Sequence, residues 1–410
     1  MNKTTMIESI REKAASYAPA QLELLKQFAS MDSETNDIPA NEAIVEIVKK
    51  ELAALDVTVE EVFFEGVGKH VIARICPEGA DGKIILNSHL DTVFPAGFPA
   101  AHPWFMDEGP APGYEKNPAN APVGSWLHGL GVTDDKGGFV VSCYAVRIAQ
   151  ELGILPKKEI CMIYACDEEQ GSITGQKVYE KEAAGAECAF IFEGGRSTNG
   201  NIELITSRKG VILGAMDIKG VEAHAGSAYL EGHSAVKELA HKILELYSFN
   251  DYEKGVFYNA APVKGGRPNG VVAGDARMEF CVAGIPDRES FAEAEANVDS
   301  MGTHTEDPYC SVSVTRRMLF PALERTQKAA DMVALAAEAG KLLGEEVVEV
   351  AVPSASDANY FSYFGCPAVD AFGPIGSGIH TTEEALYVPS IQQKTELFAT
   401  MLYLMKEGQE

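Results

Sequence analysis

Histidines and carboxylates follow short apolar runs in this sequence, and the first example is the segment "KIILNSHLDTVFP" (residues 83–95). Residues 84–86 have the apolar composition of a buried strand, and His89 and Asp91 come shortly after them. Residues two positions apart in a strand point to the same face of the sheet. The side chains of His89 and Asp91 should therefore leave the end of this strand in the same direction.

Four further segments place acidic residues or histidines next to a predicted strand. They are Asp134 and Asp135 in "GVTDDKGG", Asp167, Glu168 and Glu169 in "YACDEEQGS", Glu193 in "FIFEGG" and His380 in "GPIGSGIHTTEE". In open α/β sheets, ligands bind beyond the carboxyl ends of the strands. We therefore expect five loops to bring these side chains into one site.

The chemistry of this residue set indicates a metal centre. Carboxylates held close together raise one another's pKa values, and divalent cations remove their repulsion. Two imidazoles mixed with carboxylates suit Zn²⁺, or Co²⁺ or Mn²⁺, better than Ca²⁺. One carboxylate can bridge two ions about 3.5–4 Å apart, as in two-metal hydrolases. Each segment alone is more often a turn or a solvated charge, so the prediction depends on all five together.

Composition and charge limit the other possibilities. The 410 residues are 46% apolar with a formal net charge of −26, so we expect a folded protein that does not bind nucleic acid, which requires basic surfaces. The N-terminal segment lacks the apolar core of a signal peptide, and no segment approaches a membrane span, so no membrane partner is expected. The eight cysteines form no CxxC pair, which favours reduced thiols and a cytoplasmic location.

Strand-like and helix-like segments alternate along the first half of the chain. Strand-like segments include "HVIARIC", "EICMIYACD" and "CAFIFEGG", and helix-like segments include "NEAIVEIVKKELAAL" and "GGFVVSCYAVRIAQELG". Alternation of this kind is typical of an α/β sheet flanked by helices. The sequence therefore predicts an α/β fold for this part of the chain.

A different order of elements begins near residue 207. The strand-like "GVILGAMDIKG" is followed by an amphipathic helix, two strand-like segments, a second helix and the strand-like "YCSVSVTRRML". This βαββαβ order is that of a ferredoxin-like domain. After residue 320 the first pattern resumes. We therefore predict a large domain made of residues 1–206 and 318–410, with a small domain inserted at residues 207–317.

The motifs as a set resemble those of one enzyme family. They are "SHLDTV", "GVTDDKGG", "DEEQGS", "FEGG", "SRKG", "HAGSAYLEGHSA" and "GIHTTEE", and they span roughly residues 85 to 390. The sequence resembles the di-zinc metallopeptidases that include glutamate carboxypeptidases, aminoacylases, peptidase T and succinyl-diaminopimelate desuccinylase, and most closely the glutamate carboxypeptidase and tripeptidase branch. The resemblance implies a phosphorylase/hydrolase-like zinc-peptidase catalytic domain with an inserted ferredoxin-like lid and dimerisation domain, and hence a homodimer.

The resemblance also implies how the metal ions are held. By position in the motifs, the ligands of two Zn²⁺ ions (or Co²⁺ or Mn²⁺) would be His89, Asp134, Glu169, Glu193 and His380. Asp134 would bridge the two ions. His89 and Glu193 would complete the shell of one ion, and Glu169 and His380 that of the other.

Three further residues receive catalytic roles from the resemblance. Glu168 would be the general base. Asp91 would accept a proton from His89 and fix the tautomer of that ligand. His224, the histidine of the "HAG" motif, would stabilise the oxyanion from a partner subunit, although a role in stabilising its own loop is the alternative. The resemblance further implies a cis peptide bond between Asp134 and Asp135.

The small domain departs from the family at positions that bind substrate in several relatives. Cys281 and Ala283 stand where the family usually has Asp and Arg, and alanine cannot replace a guanidinium that binds a carboxylate. The remaining candidates for substrate binding are Arg208, Arg267, Lys209, Asn269 and His233. Each of the basic residues is equally compatible with a surface charge, and a helix-start or surface role is equally compatible with His233.

Three functions are compatible with these features. The first is a di-zinc metallohydrolase that cleaves a peptide or N-acyl amino-acid amide bond, as a carboxypeptidase- or tripeptidase-like exopeptidase. The second is a narrow amidohydrolase for a small N-acyl or N-carbamoyl metabolite, which the missing arginine favours. The third is a non-catalytic, metal-binding dimeric scaffold, which predicts the loss of a ligand or of the base. The sequence retains Glu168 and all five expected ligands, so it favours an enzyme.

Overall fold

Among the residues that the structure describes, two large hydrophobic cores form, because a second pattern of strands and helices interrupts the first. The structure is a computed structural model, and it describes residues 2–109, 124–268 and 270–408. Among these residues, no helix is both long enough and apolar enough to cross a membrane.

The two cores belong to two structural units. The first unit is formed by Met1–Ser207, Arg325–Ala351 and Ser356–Glu410, and the second by Arg208–Glu324 and Val352–Ala355. The second unit is therefore an insertion in the chain of the first. It ends later than residue 317 because its last strand runs to Phe320 and the main chain of Leu323 then exchanges hydrogen bonds with that of Arg208.

The first unit contains all five predicted metal ligands. Its helices are α1 (Lys3–Ala29), α2 (Ile38–Leu52), α3 (Phe98–Ala101), α4 (Lys136–Glu151), α5 (Gly175–Ala183), α8 (Gln327–Leu343), α9 (Ala358–Tyr363) and α10 (Pro389–Glu407). Its strands are β1 (Thr58–Val62), β2 (His70–Ile75), β3 (Lys83–His89), β4 (Phe105–Glu108), β5 (Ser125–His128), β6 (Glu159–Ala165), β7 (Cys188–Ile191), β8 (Arg196–Thr198), β9 (Asn201–Arg208), β16 (Val347–Val352), β17 (Ala368–Val369), β18 (Gly376–Ser377) and β19 (Ala385–Tyr387).

A six-stranded sheet forms the centre of this unit. Its strand order is β1-β2-β6-β3-β7-β17, and the last four strands run parallel. Helices α1, α2, α4, α8 and α10 contribute apolar side chains to one core that also contains Ile84 and Leu86 of β3 and Phe190 of β7. The predicted α/β fold is confirmed. The apolar run that predicted β3 lies in the middle of the sheet, where a strand is covered on both faces.

A second, four-stranded sheet of the first unit has the order β18-β19-β5-β4 and is antiparallel. Trp126 of β5 is fully buried against Ala385 and Tyr387 of β19. This contact fixes the hairpin of β18 and β19 against β5. The loops that leave this sheet carry Asp134 and His380.

The long elements of the second unit follow the predicted βαββαβ order, and two short strands, Ala223–His224 and Val271–Val272, are additional. Its elements are β10 (Gly210–Lys219), β11 (Ala223–His224), α6 (Ala235–Ser248), β12 (Phe257–Gly265), β13 (Val271–Val272), β14 (Asp275–Ile285), α7 (Arg288–Ser300) and β15 (Ser311–Phe320). The four long strands form an antiparallel sheet in the order β12-β14-β10-β15. Helices α6 and α7 pack on this sheet around Met278 and Val282. This is the ferredoxin-like topology.

Candidate metal centre

Parallel pairing brings three of the predicted loops to one edge of the central sheet. β3 lies between β6 and β7 and runs parallel to both, with His89 opposite Ala165. His89 is the last residue of β3, the turn Glu168–Gln170 follows β6, and Glu193 follows β7 by two residues. Because the carboxyl ends of parallel strands meet at the same edge, these side chains converge as the sequence predicts.

The second sheet supplies the other two predicted ligands. β5 leads into the loop that contains Asp134, and the loop between β18 and β19 contains His380. β19 pairs with β5, so the start of the Asp134 loop lies beside the end of the His380 loop. The main-chain N–H of Gly129 donates to the carbonyl oxygen of Glu384 at 3.0 Å, which continues this pairing beyond the strands.

Asp134 lies between the two histidines, and each of its carboxylate oxygens faces a different imidazole. Oδ1 is 2.9 Å from Nε2 of His89, and Oδ2 is 3.1 Å from Nε2 of His380. His380 Nε2 is also 3.1 Å from Oε2 of Glu169, and His89 Nε2 is 3.7 Å from Oε1 of Glu193. The five expected ligands therefore form one contiguous group, with Asp134 at its centre. The peptide bond between Asp134 and Asp135 is cis, which confirms that expectation.

The electrostatics of this group are those of closely paired charges. Hydrogen bonds with Asp134 and Glu169 raise the pKa of His380 to about 10. Burial opposes charge on His89, but Glu193, Asp134 and the neighbouring Asp91 together raise the pKa of its imidazole well above the ordinary value. Burial would likewise raise the pKa of Asp134, yet its hydrogen bonds with both histidines lower it. The two imidazoles thus act as the local positive charges in this structure.

Negative charge nevertheless exceeds positive charge in this part of the molecule. Ligand atoms of His89, Asp134 and Glu169 lie within 4.8 Å of one another, and so do those of His89, Asp135 and Glu193. Burying so many carboxylates beside two imidazoles is unfavourable without further positive charge. The donor set of imidazole nitrogens and carboxylate oxygens fits Zn²⁺, Co²⁺ or Mn²⁺. The residues present therefore suit divalent cations.

Asp91 holds the turn that follows β6, in addition to its contact with His89. His89 Nδ1 is 3.1 Å from the main-chain oxygen of Asp91 and 3.4 Å from its Oδ1. The carboxylate of Asp91 accepts hydrogen bonds from the main-chain N–H of Glu168 and of Glu169, both at 3.2 Å, and from Thr35 Oγ1 at 2.7 Å. The orienting role toward His89 remains an interpretation. The hydrogen bonds show that Asp91 also positions two acidic side chains.

Glu168 lies in a one-turn 3-10 helix, Glu168–Gln170. The segment that follows this turn is held by a second carboxylate, that of Asp357. Ser172 Oγ and the Tyr179 hydroxyl both donate to the buried carboxylate of Asp357. Burial raises the pKa of Glu168 well above its ordinary value, and the charges of Glu193 and Asp357 raise it further. A carboxylate of raised pKa is suited to accept and return a proton near neutral pH.

Glu384 is a functional candidate that the motifs in the sequence do not indicate. It is buried, and its carboxylate accepts hydrogen bonds from the main-chain N–H of Gly131 at 2.7 Å, Thr133 at 2.8 Å and Asp134 at 3.1 Å. Burial raises the pKa of Glu384 to about 8. The residue follows His380 by four positions, so one carboxylate links the His380 loop to the Asp134 loop. The only sequence signal for it is the second Glu of "HTTEE".

Asp135 is a second functional candidate whose role the motifs do not indicate. It is fully buried, and its Oδ2 accepts a hydrogen bond from the main-chain N–H of His89 at 3.2 Å. Its Oδ1 has no hydrogen-bond partner among the described residues. A Cβ atom at Gly138 would lie 2.4 Å from this oxygen, so only glycine fits in the first turn of α4. The "DDKGG" spacing therefore reflects this packing.

His224 lies on β11 of the second unit. Its Nδ1 accepts hydrogen bonds from the main-chain N–H groups of Gly226 at 3.0 Å and Ser227 at 3.1 Å. A nitrogen that accepts carries no proton, so the proton of the neutral ring is on Nε2. The imidazole is exposed and held as a donor through Nε2. Both the catalytic and the loop-stabilising role of His224 remain predictions.

The substrate-binding candidates of the second unit have partners in the structure. His233 Nδ1 is 2.9 Å from Asp307 Oδ2, and the exposed Arg267 forms an ion pair with Glu222. Arg208 is buried and donates to Ser354 Oγ at 2.8 Å. Asn269 lies outside the described residues. The structure thus places Arg267 on the surface and Arg208 in the interior, and their roles toward substrate remain predictions.

Replacing Asp91 by Asn should weaken the metal centre. The amide cannot accept from all three donors that the carboxylate binds, so the turn with Glu168 and Glu169 loses support, and we expect a loss of about 10–100-fold in metal affinity or turnover. The affinity of metal-free protein for Co²⁺ and the kcat of zinc-loaded protein measure this effect. Thr35→Val removes a single one of these hydrogen bonds and should have a smaller effect. Equal values for Asp91→Asn and the unchanged protein would contradict the prediction.

The fold and the site together define a metal-dependent hydrolase: imidazoles and carboxylates meet at the carboxyl edge of a parallel sheet, and a ferredoxin-like unit interrupts the chain. The sequence profile described as "Peptidase family M20/M25/M40" matches residues 85–404. The chain belongs to this family, which confirms the resemblance seen in its motifs.

Individual relatives agree with this assignment. The chain is 28% identical over 404 residues to carboxypeptidase G2 of Pseudomonas sp. (strain RS-16), covering 97% of this chain and 91% of that protein. It is 23% identical over 390 residues to succinyl-diaminopimelate desuccinylase of Bradyrhizobium diazoefficiens, covering 89% and 94%. The crystal structure of the aminopeptidase PepT from Bacillus cereus has the same fold, with a TM-score of 0.67, 21% identity and coverage of 95% and 98%.

Proposed function

We propose that this chain is a two-metal exopeptidase or amidohydrolase that cleaves the amide bond of a small peptide or an N-acyl amino acid. The observation that carries the proposal is the position of Asp134, whose two carboxylate oxygens face two different imidazoles at 2.9 and 3.1 Å. A carboxylate placed in this way can bridge two cations. Carboxypeptidase G2, at 28% identity, supports the same class of reaction.

In this proposal each half of the group around Asp134 holds one ion. His89 and Glu193 would complete one set of ligands, and Glu169 and His380 the other. When bound, two Zn²⁺ ions, or Co²⁺ or Mn²⁺, lower the pKa of water and polarise the substrate carbonyl. The histidines must be neutral to act as ligands, so their protons leave when the ions bind.

Glu168 is the proton carrier of the proposed reaction. Its carboxylate takes a proton from the attacking water and returns it to the nitrogen of the leaving amine. Its raised pKa suits both directions of transfer, since a base that is too weak or too strong would perform only one of them well. Asp91 and Asp357 keep the turn of Glu168 in place through the hydrogen bonds described above.

His224 is the proposed donor to the oxyanion that forms at the attacked carbonyl. The two main-chain N–H groups at its Nδ1 leave Nε2 as the protonated nitrogen, which is the state that an oxyanion donor needs. Family resemblance suggests that this histidine reaches the active site of a partner subunit. The enzyme would then be a homodimer in which each site combines residues of two chains.

Exposed apolar side chains of the second unit support the proposed homodimer. Leu244 of α6 is 71% exposed, and Tyr247 of the same helix is also exposed. Phe257 and Val263 are exposed on β12, which is an edge strand of the antiparallel sheet. An unpaired edge strand beside an apolar helix surface is suited to pairing with a second copy of itself.

The preferred substrate depends on what replaces the arginine that several family members use. Cys281 and Ala283 occupy the Asp and Arg positions on β14, and neither can bind a carboxylate as a guanidinium does. This observation favours the second candidate function, a narrow amidohydrolase of a small N-acyl or N-carbamoyl metabolite. Arg208, Arg267 and Lys209 remain the proposed substitutes for this arginine, and His233 remains a proposed donor to the substrate.

A reducing location fits the thiols of the chain. All eight cysteines are free, and six of them are buried, Cys143, Cys161, Cys166, Cys188, Cys310 and Cys366. Buried free thiols behave as small apolar residues. We propose a cytoplasmic enzyme on this basis.

Turnover of zinc-loaded protein on a matched panel tests the proposal. The panel contains dipeptides, tripeptides, N-acyl amino acids and N-carbamoyl amino acids with the same side chains. We expect hydrolysis of at least one class, its loss on removal of metal by a chelator, and its return with Zn²⁺. Activity on acylated or carbamoylated amino acids alone would identify the narrow amidohydrolase. Hydrolysis that persists unchanged in metal-free protein would contradict the two-metal function.

A further inference from the structure

The turn between β6 and α5 is closed by hydrogen bonds at both of its ends. Asp167 precedes Glu168, and Thr174 is the residue before α5. Asp167 Oδ2 accepts hydrogen bonds from the main-chain N–H of Thr174 at 2.7 Å and from Thr174 Oγ1 at 2.8 Å. The carbonyl oxygen of Asp167 accepts from the N–H of Ser172 at 2.8 Å. Glu168 and Glu169 therefore lie in a loop whose two ends are joined.

A buried histidine on a neighbouring strand joins the same two ends. His70 of β2 has no exposed surface, and its Nδ1 accepts a hydrogen bond from the main-chain N–H of Cys166 at 3.1 Å. Its Nε2 is 2.7 Å from Thr174 Oγ1. His70 thus contacts the residue before Asp167 and the residue that ends the turn.

Only one assignment of hydrogen-bond donors and acceptors is consistent with this network. Because Nδ1 of His70 accepts from an N–H, the proton of the neutral ring is on Nε2. Nε2 must then donate to Thr174 Oγ1, and the hydroxyl of Thr174 is left to donate to Asp167 Oδ2. Burial lowers the pKa of His70, which keeps the ring in the neutral form that this order requires. The direction of each hydrogen bond in the network therefore determines the direction of the next one.

Packing alone does not explain a histidine at this position. The following residues of β2, Val71, Ile72 and Ala73, are apolar and buried. A histidine in such a strand brings two polar nitrogens into the interior, which is unfavourable unless both are hydrogen-bonded. Both nitrogens of His70 are used for the turn of Glu168 and Glu169.

We propose that His70 and Thr174 are positioning residues for Glu168 and Glu169. They act through the hydrogen-bond network that runs from Cys166 through His70 and Thr174 to Asp167. The inference rests on the proposed function, since it assigns Glu169 to one ion and Glu168 to proton transfer. Breaking a hydrogen bond of this network should lower the affinity for the ion that Glu169 and His380 hold. The ion that His89 and Glu193 hold should be affected much less.

The test is a titration of metal-free protein with Co²⁺, followed by visible absorbance and by calorimetry. Thr174→Val keeps the shape of the side chain and removes the hydroxyl, and it should weaken one of two Co²⁺ sites by about 10–100-fold. Thr174→Ser keeps the hydroxyl and should bind like the unchanged protein. His70→Asn removes the hydrogen bond between His70 Nε2 and Thr174 Oγ1 and retains an acceptor for the main-chain N–H of Cys166. It should reproduce the Thr174→Val result.

Two other readouts separate positioning from general stability. In the substrate panel, Thr174→Val should lower kcat with KM little changed, and Thr174→Ser should restore kcat. If Thr174→Val and His70→Asn melt at a lower temperature yet bind both Co²⁺ ions and turn over normally, the network is merely structural and the inference is wrong. If the unchanged protein binds fewer than two Co²⁺ ions, the two-metal function itself fails, which is a different result.

Discussion

Replacing Glu168 by Gln should remove nearly all turnover while two metal ions stay bound. The amide has the shape of the carboxylate but cannot take a proton from water, and general acid–base catalysis typically contributes about 10²–10⁴-fold. Glu168 is not among the proposed ligands, so metal content should not change. Steady-state kcat on the best panel substrate, with elemental analysis of the same samples, measures both quantities.

A matched control for this experiment is Glu180→Gln. Glu180 is an exposed carboxylate on α5, and its replacement removes the same charge outside the site. It should leave kcat unchanged. If Glu168→Gln retained turnover comparable to that of Glu180→Gln, Glu168 would not be the base. If it lost its metal, the residue would belong among the ligands.

Replacing His224 by Ala should also inactivate the enzyme, and a second inactive variant should rescue it. Loss of one oxyanion donor typically costs about 10²–10³-fold in kcat. Asp134→Ala is inactive for another reason, because it lacks the bridging carboxylate. In a mixed dimer, the metal ligands of the His224→Ala chain and the histidine of the Asp134→Ala chain form one intact site.

The amount of rescue is set by the statistics of exchange. An equal mixture with free exchange of subunits contains half mixed dimers, each with one intact site, so about a quarter of the original activity should return. Activity is measured after the two variants are unfolded and refolded together, with each variant refolded alone as the control. Absence of rescue in a mixture that forms mixed dimers would show that His224 does not act across subunits.

The parts of the site that follow directly from strand ends could be predicted from the sequence. His89, Glu168 and Glu193 each come within three residues of the end of a parallel strand, so a local pattern of apolar residues followed by polar ones was sufficient. The ferredoxin-like order of the inserted unit was visible for the same reason. The cis peptide after Asp134 followed from the family resemblance and not from any local pattern.

Residues that act through the main chain of distant segments could not be predicted in this way. Glu384 binds N–H groups some 250 positions earlier in the chain, and nothing in "HTTEE" specifies that contact. His70 contacts Thr174 across 104 positions, and by its surroundings in the sequence it resembles an ordinary strand residue. Such contacts depend on which strands become neighbours in the sheet, which a local hydrophobic pattern does not specify. The end of the inserted unit depended on the pairing of Leu323 with Arg208 in the same way.

The hydrogen bonds of Glu384 join the loop before β19 to the loop that contains Asp134. His380 and Glu384 share the loop between β18 and β19, and Glu384 accepts hydrogen bonds from three main-chain N–H groups within residues 131–134. A shift of that loop would therefore act on the main chain at Asp134. An insertion or deletion in residues 378–384 would therefore disturb His380 and the Asp134 loop together. The length of this loop is constrained by a segment that is distant in the sequence and adjacent in the folded protein.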